Sequence, residues 1–393
     1  MLKTIFLLFS FVSSVSSVAQ QWVPLEDFPG TARDDGASFV IEDKAYCGTG
    51  LTPWWSELSD FHAFDMITET WSTISSLPVG KERQYSTGFS NGINGFIFGG
   101  YDGTNFLNDL WLYDPSIDIW VEKAPLPDAG RSGSSCFVLN DTAYIVGGKT
   151  ALLNAVDEVW AYDLLNDTWV QKTNMPFGSR WRASATSFFG QGYLLFGKDE
   201  LNNFHNELFS YNPTNDSWET LPSHPEPGRS HAVLANVFNK LFTVFGVDDQ
   251  GNSLNDFYEY NILLETWIPK LAFPNSERRG GISFVNDVDI FYTTGIDLND
   301  VRLVETWKYS LSSSTDEIEN SRLKVYPNPT SNSITIEVDF VEGTTITLFN
   351  ILGDPVLEAK STNVINVATL KRGVYFLEVK QDNRSRTARF IKE

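Results

Sequence analysis

The chain has 393 residues, 42% hydrophobic and 20% charged, with 50 acids against 29 bases and a formal net charge of −21. That balance excludes nucleic acid and anionic membrane surfaces as partners, since both need a basic footprint. Two Cys are too few for a disulfide-built scaffold, and the length accommodates one large domain plus a small one.

From the amino end, residues 1–19 read as a secretory signal peptide. Lys3 is the positive segment, Ile5 to Val12 the apolar run, and Ser17-Val18-Ala19 the small-residue cleavage site before Gln20. The apolar run is too short to span a bilayer. No later stretch approaches 18 apolar residues, so the mature chain is expected to lack a transmembrane segment.

The next feature is a repeat. Trp22, Trp71, Trp120, Trp169, Trp218 and Trp267 are each 49 residues apart. An aromatic follows each Trp by 42 residues (Phe64, Tyr113, Tyr162, Tyr211, Tyr260, Tyr309), and a turn-former comes next (Asp65, Asp114, Asp163, Asn212, Asn261, Ser310). A Gly falls 28 residues after each Trp, from Gly50 to Gly295. Each unit holds four short strand-like runs; in the third they are Ser134 to Leu139, Thr142 to Val146, Val159 to Tyr162 and Thr168 to Gln171. Four short strands at this period predict the blades of a β-propeller.

The sixth unit reaches Trp307-Lys308-Tyr309 and then lacks a fourth strand, because Asp316 stands where a seventh Trp would fall. The chain begins with a spare one, Gln21 to Leu25. That strand is expected to complete the last of six blades and leave no open edge. Arg131, Gly147-Gly148, Tyr162-Asp163 and Trp169 resemble the kelch repeat, and the resemblance covers residues 21–310. The Gly doublet of that repeat survives only at Gly99-Gly100 and Gly147-Gly148.

Residues 312–321 are Ser-rich and acidic and read as a linker between a propeller over 20–311 and a small domain over 322–393. The last segment carries Val325-Tyr326-Pro327-Asn328-Pro329-Thr330, Ile346 to Gly353, Leu370 to Phe376, and a terminal Arg389-Phe390-Ile391-Lys392-Glu393. It resembles the type A C-terminal sorting domain of the type IX secretion system. Alternating runs such as Ser333 to Val338 support an immunoglobulin-like β-sandwich. The resemblance implies the secretion machinery as a partner and passage across a bacterial outer membrane. It also implies release of the propeller, or its attachment to surface lipopolysaccharide.

On the propeller, the loop between strands 2 and 3 and the loop leading into strand 1 are expected to open on one face. Two rings of charge lie on them. Arg33, Arg83, Arg131, Arg180, Arg229 and Arg278 form one; Asp60, Asp109, Glu158, Glu207, Asp256 and Glu305 form the other. Guanidinium groups around a channel mouth suit bidentate capture of a carboxylate. Sixfold repetition favours the other reading, structural Arg–carboxylate pairs between adjacent blades, because a binding site normally breaks symmetry.

The symmetry-breakers are the ligand-binding candidates: Trp54, Trp55, Trp181, Arg182, His205, His231, Arg279 and Arg302. Trp54-Trp55 either form a stacking platform for a sugar or protein, or fold back on their own blade. No cofactor is expected and no zinc or calcium spacing is present. Cys47 and Cys136 fall two units apart and are expected to stay unpaired.

Three functions follow. The first is a secreted or cell-surface binding module for a glycan or protein. The second is an enzyme: six-bladed kelch proteins include a sialic acid epimerase, and by that resemblance Arg182, Arg279 and Arg302 would meet a carboxylate while Glu57 or Glu200 moved a proton. Kelch copper oxidases fit less well, since Cys47 has no evident Tyr partner. The third is an assembly role in a surface structure.

Overall fold

The structure is a computed structural model that describes residues 22–188, 190–237, 240–262, 264–311, 323–337, 344–350, 355–360, 362–381 and 384–392. The expected signal peptide (1–19) and linker (312–321) lie outside the described residues.

Six four-stranded antiparallel sheets occupy residues 22–310. We number them as blades 1 to 6. Blade 1 runs Ala37–Ile41, Lys44–Gly48, Phe61–Asp65 and Thr70–Ile74; blade 3 runs Ser135–Leu139, Thr142–Val146, Val159–Asp163 and Thr168–Gln171. The first strand of each blade touches the first strand of the next, and that of blade 6 touches that of blade 1, so the sheets form a closed ring. The second strands are buried on both sides, whereas the outermost strands of blades 1 to 5 are exposed or half-buried. A blade therefore cannot satisfy its two apolar faces alone. One apolar cluster lies in each interface: Phe39 and Phe61 of blade 1 meet Ile97 and Tyr113 of blade 2. Phe284 and Phe291 of blade 6 likewise meet Ala45, Cys47 and Phe64 of blade 1.

The 49-residue period has a direct cause. Each blade's third strand pairs its aromatic with the Trp of the outer strand: Phe64 with Trp71, Tyr113 with Trp120, Tyr162 with Trp169. The turn between them is closed by the Asp that follows the aromatic, whose side chain accepts from backbone amides two and three residues on, as Asp65 does from Ile67 and Thr68. The indole nitrogens of Trp120 and Trp169 then donate to Ser75 and Ala124 carbonyls beside the preceding blade, at 2.9 and 2.8 Å. In blade 6 the same pairing is made by the start of the chain: Trp22–Pro24 lies antiparallel to Thr306–Ser310, with Trp22 opposite Tyr309.

Residues 323–392 form a three-stranded sheet (Lys324–Tyr326, Ser333–Glu337, Val364–Asn366) and a four-stranded one (Pro355–Lys360, Thr345–Phe349, Gly373–Gln381, Arg384–Lys392). They enclose one core that includes Ile334, Ile346, Leu348, Leu377 and Phe390. Among the described residues, no helix is long and apolar enough to cross a membrane.

Candidate functional site

The two charge rings meet. Arg33 reaches both oxygens of Asp60 at 2.8 and 2.7 Å, and Arg83 those of Asp109 at 2.7 and 2.9 Å. Arg229 does the same to Asp256 at 2.5 and 2.8 Å. Arg131 meets Glu158 at 2.7 Å, Arg278 meets Glu305 at 3.0 Å and Arg180 lies 3.7 Å from Glu207. Each Arg and its acid lie in one blade, not in adjacent blades as expected, while the Arg main chain is bonded to the preceding blade: Gly50 donates to the Arg83 carbonyl, Gly197 to Arg229 and Gly246 to Arg278. Each pair thus fastens one blade to the next. All six Arg side chains are buried, so the guanidinium groups are taken up by the protein's own carboxylates and do not face the solvent. Burial works against the charge on Asp60, but hydrogen bonds from His62 and Arg33 outweigh it and hold the carboxyl well below the usual range.

Two residues beyond each Arg, the chain closes a second ring. Tyr85 N donates to Asp35 O, Gly133 N to Tyr85 O, Arg182 N to Gly133 O, His231 N to Arg182 O, Gly280 N to His231 O and Asp35 N to Gly280 O, at 2.6–3.3 Å. All six residues have φ between 55° and 65°. Asp, Tyr, Arg and His rarely adopt that region, so the ring must hold them there. This circle of amides is the hub of the propeller, and it sets which side chains line the channel.

Those side chains are asymmetric. Arg182 is ion-paired with Asp35 at 2.5 Å, and Arg302 with the adjacent Asp34 at 2.5 Å. The Arg182 guanidinium lies 4.9 Å from the Tyr85 ring. Trp181 meets His231 edge-to-face at 5.5 Å and lies 5.7 Å from Tyr85. Burial, reinforced by the neighbouring Asp34 charge and only partly offset by Arg182, raises the Asp35 carboxyl to about 7. Burial, then the charges of Arg182, Lys198 and Arg279, keeps His231 well below its usual value and therefore neutral. Burial and the Asp35 charge raise the Tyr85 hydroxyl. Asp35 can therefore hold or release a proton near neutrality within the buried hub.

The rim carries a different chemistry. The turn Thr52 to Ser56 is pinned by the Thr52 hydroxyl, which accepts from the amides of Trp54 and Ser56, and Trp55 has φ 61°. The turn leaves Trp54 76% and Trp55 75% exposed, so they do not fold back on their own blade. Arg302 stacks under Trp55 at 5.0 Å and ties the rim to the hub. Beside Trp55 lies a cleft of about 410 Å³ between blades 1 and 2, lined by Glu57, Glu82, Asp102 and Thr104. A second of about 490 Å³, lined by Thr104, Tyr101, Phe106 and Leu152, adjoins it.

The remaining candidates are engaged locally. His205 lies between Asp199 and Glu207 at 3.3 and 3.2 Å. Arg279 bridges Ser253 and Asp300. Glu200 accepts from the Ala155 amide, and Glu57 from Gln84. Cys47 and Cys136 are free thiols whose pKa values burial raises. Among the described residues no cluster of three or more His, Cys, Asp or Glu side chains is placed to hold a metal ion. The structure thus brings Trp181, Arg182, His231 and Arg302 to one hub with Arg279 close enough for its charge to act on Asp35 and His231, sets Trp54 and Trp55 on the rim, and leaves His205 apart. Sequence reasoning missed Asp34, Asp35 and Tyr85. Their signal was available, since they stand in the columns one and two places after the ring Arg, which other units fill with Ser132, Gly133, Ser230 or Gly280.

Comparison with known proteins places both parts of the chain. Residues 11–195 and 78–235 match the KLHDC2/KLHL20/DRC7 Kelch-repeats domain, and residues 324–393 match the secretion system C-terminal sorting domain. Kelch-like protein 35 of Mus musculus is 28% identical over 138 residues, which is 35% of this chain and 23% of that protein. N-acetylneuraminate epimerase of Shigella sonnei (strain Ss046) is 30% identical over 146 residues, 35% of this chain and 36% of that protein. The alignments thus span no more than about a third of these relatives' length. The solved structure titled "Structure of YjhT" shares the fold, with TM-score 0.64 and 16% identity over 72% of this chain and 95% of that one.

Proposed function

The chain belongs to the kelch-repeat family and ends in a secretion system C-terminal sorting domain, and we propose that it is a secreted or surface-attached module that grips a neutral glycan with the rim of blades 1 and 2. One observation carries this reading: Trp54 and Trp55 stand side by side at 76% and 75% exposure on a pinned turn beside a cleft. Large exposed indoles lose by facing water and gain by stacking on the apolar face of a sugar ring. The carboxylates of Glu57, Glu82 and Asp102 accept hydrogen bonds from sugar hydroxyls and repel an acidic sugar. A glycan array with the purified propeller tests this. Neutral glycans should bind, and Trp54→Ala or Trp55→Ala should weaken a hit at least tenfold, about 1.4 kcal/mol. A hit that survives both changes removes the rim from the site.

A second reading, an enzyme acting on a sugar, is favoured by Asp35, whose carboxyl is poised near neutrality against Arg182 and Tyr85. The relatives named N-acetylneuraminate epimerase suggest the substrate to try. Incubation with one anomer of N-acetylneuraminate, followed by NMR, should show faster equilibration than buffer and loss of that acceleration in Asp35→Asn. Equal rates with and without protein reject this substrate.

A further inference from the structure

Six equivalent residues flank the hub on the segment after each blade's second strand. Each bridges the residue that follows the ring Arg: Leu51 opposite Asp34, Tyr101 opposite Gln84, Lys149 opposite Ser132, Lys198 opposite Trp181, Val247 opposite Ser230 and Ile296 opposite Arg279. Four of the six are apolar or aromatic. The two that are not are adjacent around the ring, in blades 3 and 4, and both are Lys.

Their ammonium groups converge on one side chain. Lys198 Nζ lies 4.6 Å and Lys149 Nζ 5.8 Å from the centre of the Trp181 ring. Neither makes an ion pair with any described residue, although the nearby Arg182, Arg302 and Arg279 each have an acid. The ring of Trp181, and for Lys198 that of Phe204 at 5.3 Å, compensates only partly, since a ring face attracts a cation more weakly than a carboxylate does. The Arg182 charge lies close by, and burial together with Lys149 and Arg182 holds the Lys198 ammonium below its usual value. A chain with 50 acids and 29 bases has thus gathered beside its hub two cations that have no carboxylate partner among the described residues. Packing does not require it, because the equivalent positions accept Leu, Tyr, Val and Ile.

We propose that Lys149, Lys198 and Trp181 form an anion-binding subsite at the hub, which takes the carboxylate or sulfate of an acidic sugar. The two ammoniums are point charges with freely rotating donors and accept either planar or tetrahedral oxyanions. The site lies in blades 3 and 4, apart from the acidic rim cleft of blades 1 and 2, and does not depend on Trp54 or Trp55. Carboxylate and sulfate ester are the two sources of the same charge, and the experiment separates them.

The test is calorimetric titration of the full chain with glucuronate, galactose 6-sulfate and galactose at low salt. At least one acidic sugar should bind and galactose should bind at least tenfold more weakly; whichever acid binds names the group. The variants Lys149→Gln and Lys198→Gln should each cost about tenfold, and the pair should abolish the difference between acidic and neutral sugars. Trp54→Ala should leave acidic-sugar affinity unchanged, which separates this subsite from the rim. NMR of the lysine side chains gives a second measure: the Lys198 ammonium should titrate at higher pH when the acidic sugar is bound. Binding that ignores both Lys substitutions, or no preference for either acidic sugar over galactose, overturns the proposal.

Discussion

His224 stands six residues after its Trp, in a column that the other units fill with Phe28, Leu77, Leu126, Met175 and Phe273. It is as buried as they are and lies edge-on to Phe196, Tyr258 and Trp267 at 4.7–5.0 Å. Burial, and then the nearby Arg229 charge, lowers its pKa from 6.5 to about 4. A His that protonates more readily when unfolded favours unfolding as pH falls. Its contribution is complete above pH 6.5, is lost progressively down to about pH 4, and is flat below. The loss approaches about 3 kcal/mol, at 1.36 kcal/mol per pKa unit. Urea midpoints between pH 4 and 7 should show this slope, and His224→Leu should flatten it. If wild type and variant keep equal slopes, His224 is not the titrating group. This residue was invisible as a feature in the sequence, because only the apolar identity of its column, read across all units, marks it as out of place. The ring Arg residues were legible, since repetition itself exposes them. Asp35 was legible only as a break in its column, because its role depends on a main-chain circle that no side-chain pattern announces.

At the scale of the element, the strand Trp22–Pro24 is the part on which closure depends. Trp22 is packed against Phe245, Phe257, Phe273 and Tyr309 at 5.3–6.0 Å. Removing its ring leaves a cavity in the interface of blades 5 and 6 and loosens a three-residue strand. Trp22→Ala should cost about 3–5 kcal/mol in urea unfolding, whereas Val23→Ala, on the solvent side, should cost under about 0.5 kcal/mol. Equal costs would mean that the strand contributes only through its backbone. The strands of blade 3 matched their expected bounds to within a residue because turn residues flank each run. The closing strand was legible for a different reason: a missing Trp at position 316 and a surplus one at position 22. The two clefts on the rim were not, since they arise where loops of neighbouring blades meet and neither loop alone encodes them.

For the whole molecule, the propeller and the sorting domain each enclose their own core. A chain that stops at residue 314 should therefore unfold at the same temperature in its propeller transition, yet remain inside the cell envelope. Cell fractionation with calorimetry checks both halves of that statement, and export of the truncated chain would remove residues 322–393 from the sorting role. The hub circle has an electrical consequence. Its six amide dipoles run head to tail around a closed loop, so they cancel in the plane and lend the mouth no field of their own. What an approaching solute senses there is written by side chains alone. At low ionic strength an approaching anion meets the repulsion of a particle carrying 21 excess negative charges, which physiological salt screens beyond about 8 Å; at close range it meets Lys149 and Lys198. Added salt should first hasten such an encounter, by thinning the outer barrier, and only then weaken the grip.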